Sequence, residues 1–232
     1  MLKIYAFFQQ SFYSGRKTRL FLSAILAALV TLAWPNAAFA APATQDGQYV
    51  YDIMRNGTQI GTYSFDVSTQ EKSTTIRANM NIEAKVLFLT AYKADHRRTE
   101  VRVNGALQSM EGDALFNGKS YTFSYDAAQN LLVQNDKEQV LAHPAVTLTP
   151  FLPNALEGKF VGISEKGIPH EAGFIDHGMV KKKSGIKLKP FREIIFTGDV
   201  RRDLWYTPEG VLESLSYDKD GATITFKLRQ PN

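Results

Sequence analysis

Apolar and polar residues alternate along much of this chain. Gly61, Tyr63, Phe65 and Val67 fall on one side of an extended segment, with Thr62, Ser64 and Asp66 on the other. Ile76, Ala78, Met80, Ile82 and Ala84 oppose Thr75, Arg77, Asn79, Asn81 and Glu83, and Tyr121, Phe123 and Tyr125 oppose Thr122 and Ser124. A period of two with one apolar side marks half-buried antiparallel strands, and no segment sustains a helical period. Asn56-Gly57, Asn104-Gly105 and Asn117-Gly118 each separate two such runs. Both central residues of a type I′ turn need positive φ, which asparagine and glycine tolerate, so each pair predicts a two-residue hairpin. Toward the C-terminus, DLWYTPEGVLESLSYDKDGATITFKL predicts a three-stranded meander, with Pro208 and Gly210 in one turn and Asp218 to Gly221 forming the next.

Between Leu141 and Lys189 the alternation fades, and Pro144, Pro150, Pro153 and Pro169 accumulate. Proline cannot donate to a strand ladder, so this section predicts a long irregular crossover connection, with a helical turn in Pro150 to Leu156 and one strand near Phe160 to Ser164. The fold class is all-β: a single antiparallel, hairpin-built sheet of roughly eight to ten strands. Twist accumulates across a sheet of that size, which predicts strong curvature or an open barrel, a two-layer sandwich being the alternative.

The N-terminus departs from this pattern. Lys3, Arg16, Lys17 and Arg19 precede an apolar run of 14 residues, Leu20 to Ala33, and Ala38-Phe39-Ala40 offers a small-x-small cleavage site. That reads as a signal peptide over residues 1–40, since about 20 apolar residues are needed to span a bilayer as a helix. Residues 41–48 read as a disordered leader and 49–230 as a single β domain. The expected location is the periplasm, with secretion as the alternative, and no transmembrane anchor remains after cleavage.

Charge then changes meaning. The whole chain has 27 basic and 23 acidic residues, but all four excess bases lie before Ala41, so the remainder is formally neutral. A high isoelectric point owed to a targeting segment gives no support for nucleic-acid binding. There is no cysteine, which excludes disulfides, thiolate metal sites and cysteine nucleophiles.

The opening Y-x-Y-D-I-x-R-N-G-x-x-I-G (Tyr49 to Gly61), the D-L-W-Y-x-x-x-G-x-L of Asp203 to Leu212 and the D-G-x-x-I-x-F of Asp220 to Phe226 resemble a family of exported bacterial proteins, the domain of unknown function DUF6134. They are also similar to the neighbouring family DUF3108. The resemblance implies an exported, mainly antiparallel β domain and carries no catalytic residues with it.

The aromatic residues supply the main functional expectation. Tyr51, Tyr63, Phe65, Phe88, Tyr92, Phe123 and Trp205 are the candidate lining of a concavity that binds an apolar or amphipathic ligand such as a lipid. Ordinary core filling is the competing explanation, because strands favour aromatic residues in any case. Lys181, Lys182 and Lys183 open a basic stretch that suits an anionic surface. An envelope scaffold docking on a protein partner through that stretch, or through Pro144 to Lys189, is a second reading. A third is a metal-dependent hydrolase built on His170, Glu171, Asp176 and His177, although their spacing matches no familiar ligand motif. No G-x-S-x-G elbow nominates a nucleophile, so no catalytic residue, resident metal or cofactor is assigned.

Overall fold

The computed structural model describes residues 46–86, 89–148, 156–184, 187–198 and 201–229. The signal peptide and most of the leader expected from the sequence lie outside these residues, as do Phe88 and most of the helical turn expected at Pro150 to Leu156. Phe39–Asn232 forms one compact unit.

Within it the strands are β1 (Gly47–Arg55), β2 (Thr58–Gln70), β3 (Ser73–Val86), β4 (Leu89–Val103), β5 (Ala106–Phe116), β6 (Lys119–Asp126), β7 (Leu131–Gln134), β8 (Lys137–Val140), β9 (Ala145–Val146), β10 (Phe160–Ile163), β11 (Pro169–Ser184), β12 (Lys187–Thr197), β13 (Arg202–Tyr206), β14 (Leu212–Lys219) and β15 (Ala222–Leu228). No helix occurs among the described residues. All fifteen strands belong to one sheet, in the order β8 to β1 followed by β15 to β9. The expected eight to ten strands were too few. Three of the additional ones, β7, β8 and β9, are only two to four residues long and leave almost no period to detect.

The turn chemistry follows the sequence. Asn56 and Gly57, Asn104 and Gly105, and Asn117 and Gly118 all have positive φ, as a type I′ hairpin turn requires. The asparagines do a second job at the sheet rim. Asn56 Oδ1 accepts from the Thr223 N–H at 2.9 Å, Asn117 Oδ1 from Lys93 at 2.8 Å, and Asn135 Oδ1 from Thr122 at 2.9 Å. Each hairpin tip is thereby tied to the adjoining strand. Thr207 O accepts from Gly210 N at 2.9 Å, closing the turn that Pro208 enters, and β13, β14 and β15 form the expected meander.

The curvature follows from connectivity. β8 and β9 are the two edges of the sheet, yet only residues 141–144 separate them. Five residue steps reach at most about 18 Å, so the sheet bends round until its edges face each other. Side chains rather than a ladder hold this seam. Leu107, Met110, Phe123, Tyr125 and Leu132 from one flank pack with Leu141, Ala145, Val161 and Ile163 from the other. Gln134 Nε2 donates to Lys166 O at 2.9 Å, and Asn130 Nδ2 to Leu141 O at 2.7 Å. Gly167 has φ +69°, and a Cβ there would lie 2.4 Å from the Phe123 Cβ; only glycine lets the β10–β11 turn approach β6 so closely.

The inner face is the apolar side read from the sequence. Tyr63 pairs with Met80, Phe65 with Ala78 and Val67 with Ile76, and all six are buried with Tyr51, Ile53, Ile194, Leu204 and Tyr206 in the main core. The expected irregular crossover is largely ordered. Its predicted strand is β10, but Pro169 opens a 16-residue strand, β11, that pairs with β12. Proline is compatible with a strand's first residue. In the distal part of this pair one face is exposed and the other, with Val180 and Lys182, is only half-buried, so no buried apolar side existed to produce alternation.

Candidate functional site

β4 places charge where the fold would be expected to place hydrocarbon. Its inward positions are Ala94, His96, Arg98, Glu100 and Arg102, each at most 6% exposed. They pair with Ile82, Met80, Ala78, Ile76 and Thr74 on β3, so the register alone fixes their direction. Arg98 Nε lies 2.7 Å from Glu100 Oε1, and Arg102 NH2 lies 2.9 Å from Glu100 Oε2. Thr147, just after β9, donates to Glu100 Oε1 at 2.7 Å and accepts from Arg102 at 2.8 Å. Arg98 also donates to Leu148 O at 3.2 Å and Arg102 to Gly105 O at 3.1 Å. The chain after β9 therefore crosses onto the inner face of β4 and is held there by two arginines and a carboxylate. Burial raises the Glu100 pKa, but Arg98 and Arg102 beside it outweigh that and hold the carboxyl below its ordinary range. A buried ion pair persists only when most of its remaining donors and acceptors are satisfied; Thr147, Leu148 and Gly105 supply partners here, while Arg98 Nε meets Glu100 Oε1 as a close charge contact without hydrogen-bond geometry.

Further along the same strand, satisfaction is incomplete. Both ring nitrogens of His96 are buried without a hydrogen-bond partner among the described residues. The ring stacks 6.0 Å from Phe123 and lies edge-on to Tyr63 at the same distance. Burial, with Arg98 adding to it, pushes its pKa down to about 3, so the imidazole is neutral. The Tyr63 hydroxyl is buried beside Arg98 without a well-formed hydrogen bond, and burial drives its pKa up. Glu165, on the β10–β11 turn, resists the effect of burial because the Arg202 charge above all lowers its pKa. Arg202 lies 5.4 Å from the Phe196 and Tyr217 ring centroids.

Two small cavities flank Glu165 and Arg202. One, of about 40 Å³, is lined by Tyr51, Tyr63, Phe65 and Tyr217 among others; the second, of about 60 Å³, includes Gly162, His170 and Phe196. Each has room for a water or two. At the end of the sheet carrying the Asn56-Gly57 and Asp220-Gly221 turns, an apolar groove of about 290 Å³ is lined by Ile53, Ile60, Ile82, Ala84, Tyr92, Ile224 and Phe226, with Arg55, Lys219 and Asp220 also on its wall. It shares Tyr217 and Phe226 with the 40 Å³ cavity. A larger depression of about 470 Å³ is open and polar, with Arg97, Glu111, Asp113 and Asn135 among its lining.

The residues proposed from sequence are thus dispersed. Tyr51, Tyr63 and Phe65 line the small interior cavity and Tyr92 the groove. Tyr51 also donates to Leu212 O at 2.8 Å. Phe123 is buried at the seam. Trp205 alternates with the buried Leu204 and Tyr206 and carries Lys182 Nζ 3.6 Å from its ring centroid. Phe88 lies outside the described residues. Lys181 and Lys183 are exposed on β11.

The four candidate metal ligands stand on β11 rather than on an irregular loop. His170 faces the 60 Å³ cavity, Asp176 accepts from Arg192 Nε at 3.1 Å, and His177 Nδ1 lies 3.0 Å from Glu193 Oε2. They do not converge, and no group of three or more potential ligands occurs among the described residues. The ionic cluster on β4 went unread in the sequence, although HRRTEVR contained its signal. Pairing that run with the alternating face of β3 turns every second residue inward.

The comparisons with known proteins agree with this architecture. The family described as Domain of unknown function (DUF6134) matches residues 51–229, and the chain belongs to it. A solved structure described as a beta-barrel-like protein of domain of unknown function DUF1849, from Brucella abortus, is similar in fold. The TM-score is 0.55 at 7% sequence identity, over 78% of this chain and 94% of that one. Neither of these two matches is to DUF3108. No curated protein matches the chain.

Proposed function

We propose that this member of the DUF6134 family is an exported binding protein that takes an amphipathic molecule with a single apolar chain into the groove at the turn end of its curved sheet. The observation that carries this reading is the groove itself: about 290 Å³, walled by Ile53, Ile60, Ile82, Ile224, Phe226 and Tyr92, and sharing Tyr217 and Phe226 with the lining of the interior aromatic cavity. Sites for small molecules start at about 300 Å³ and are predominantly apolar with a few polar groups. The volume supports a slender ligand rather than a multi-chain lipid. Each methylene buried contributes about 0.8 kcal/mol, while Arg55, Lys219 and Asp220 on the wall leave room for a polar head near water. Export and a periplasmic location rest on the basic, apolar and small-residue order of residues 1–40.

A dansyl-labelled medium-chain fatty acid tests this by fluorescence titration. The proposal expects saturable binding that Ala84→Trp and, separately, Ile60→Trp weaken at least tenfold by filling the groove. Absence of saturable binding, or equal binding by both folded variants, would refute it.

A further inference from the structure

The β11–β12 pair outruns its neighbours. β13 pairs with β12 only from Arg192 to Phe196, whereas β11 and β12 remain paired out to Ser184 and Lys187. The distal part is therefore a two-stranded ribbon. It carries Lys181, Lys182, Lys183, Lys187 and Lys189, and no acid occurs between Asp176 and Glu193. Among the described residues the carboxylates near its base are engaged, Asp176 by Arg192, Glu193 by His177 and Asp203 by Arg201. Met179 is 52% exposed and Leu188 67% exposed. In the observed register, Lys181 is opposite Pro190, Lys183 opposite Leu188 and Met179 opposite Arg192. Alternation then puts Met179, Lys181, Lys183, Leu188 and Pro190 on one face. Lys182 belongs to the other face, where it stacks on Trp205.

We infer that this ribbon docks the protein onto an anionic lipid surface. Lysines flanking two exposed apolar side chains suit the boundary between headgroups and acyl chains. The ammonium groups meet lipid phosphates while Met179 and Leu188 enter the apolar layer. A formally neutral domain with five lysines and no acid along one projection presents a preferred orientation to such a surface. An acidic protein would satisfy the lysines but supplies no apolar layer for the side chains between them. The ribbon lies at the end of the sheet opposite the Asn56-Gly57 and Asp220-Gly221 turns, as strand direction requires, so docking leaves the apolar groove exposed. The inference stands whether or not the groove binds a ligand.

Vesicle sedimentation tests it, using the compact unit from Phe39 onward with phosphatidylglycerol/phosphatidylcholine vesicles and with pure phosphatidylcholine. Each lysine near an anionic surface contributes about fivefold in partitioning. Neutralising Lys181→Gln/Lys183→Gln should therefore weaken binding about 25-fold, and reversal to Lys181→Glu/Lys183→Glu should weaken it further. Leu188→Ser should reduce binding at constant charge, and 0.5 M salt should weaken the wild type, because screening shortens the reach of exposed charges. All three side chains are exposed, so the variants are expected to melt as the wild type does. Three results would overturn the inference: no binding to anionic vesicles, equal binding to phosphatidylcholine, or binding unchanged in both lysine variants. Capture of an acidic protein without vesicle binding would likewise replace it.

Discussion

His96 should make this protein lose stability from about pH 6.5 downward, starting above the range where carboxylates titrate. The ring is 1% exposed, both nitrogens lack partners among the described residues, and its pKa is about 3 in the folded chain, against about 6.5 when unfolded. Between those values the unfolded chain binds a proton that the folded chain does not. The stabilisation is therefore fully present above the unfolded pKa and is lost as pH falls through the window. Linkage gives about 1.4 kcal/mol per pH unit there, so moving from pH 7 to pH 4.5 removes roughly 2.5 kcal/mol through this one group. Glu100 and Glu165, both held low, also lose stabilisation in acid, so the clean observable is a difference. Urea unfolding of wild type and His96→Phe at both pH values isolates the histidine. Phenylalanine keeps a ring beside Tyr63 and Phe123 and removes two unpaired nitrogens, so at pH 7 it should be near neutral or stabilising. At pH 4.5 the variant should be the more stable by an additional 2.5 kcal/mol, approximately. A gap unchanged within about 0.5 kcal/mol would mean that the folded histidine accepts a proton, and the reasoning from its burial would be wrong.

Other perturbations follow from the same interior. Glu100→Gln leaves Arg98 and Arg102 buried without their countercharge and should cost about 3–5 kcal/mol in urea unfolding; a loss below about 1 kcal/mol would contradict the assigned pairing. Gly167→Ala drives a Cβ into Phe123 at positive φ and should lower stability by at least about 2 kcal/mol, measured by calorimetry, because strain and overpacking add. An unchanged melt would mean the seam is not closed there. Tyr51→Phe removes the hydroxyl from Leu212 O, leaving a carbonyl short of one donor, and should cost about 1 kcal/mol in urea unfolding.

What the sequence disclosed divides along physical lines. Tyr63 to Val67 and Ile76 to Ala84 were legible because one side faces a core and the other faces water, and the Asn-Gly turns because their backbone demands those residues. The ribbon of Met179 to Lys183 and Lys187 to Lys189 was illegible because lysine occupies both its faces and no apolar period survives. β4 failed for the opposite reason: inward His96, Arg98, Glu100 and Arg102 alternate with outward Arg97 and Thr99, so both sides read as polar. Its direction emerges only from pairing with β3. Strong curvature was expected from accumulated twist, but the way the two edges meet was hidden, since it depends on the short span between β8 and β9 and on Gly167 meeting Phe123 across the seam. The groove is assembled from Ile53, Ile82, Ile224 and Phe226, residues distant in the chain and individually indistinguishable from core.

Native mass spectrometry of the protein purified from the cells that make it, followed by solvent extraction, addresses the binding proposal most directly. The account predicts a co-purifying amphipathic molecule with one apolar chain, present in the wild type and absent from Ala84→Trp. A wild-type protein that emerges empty, or a ligand retained equally when the groove is filled, would contradict it.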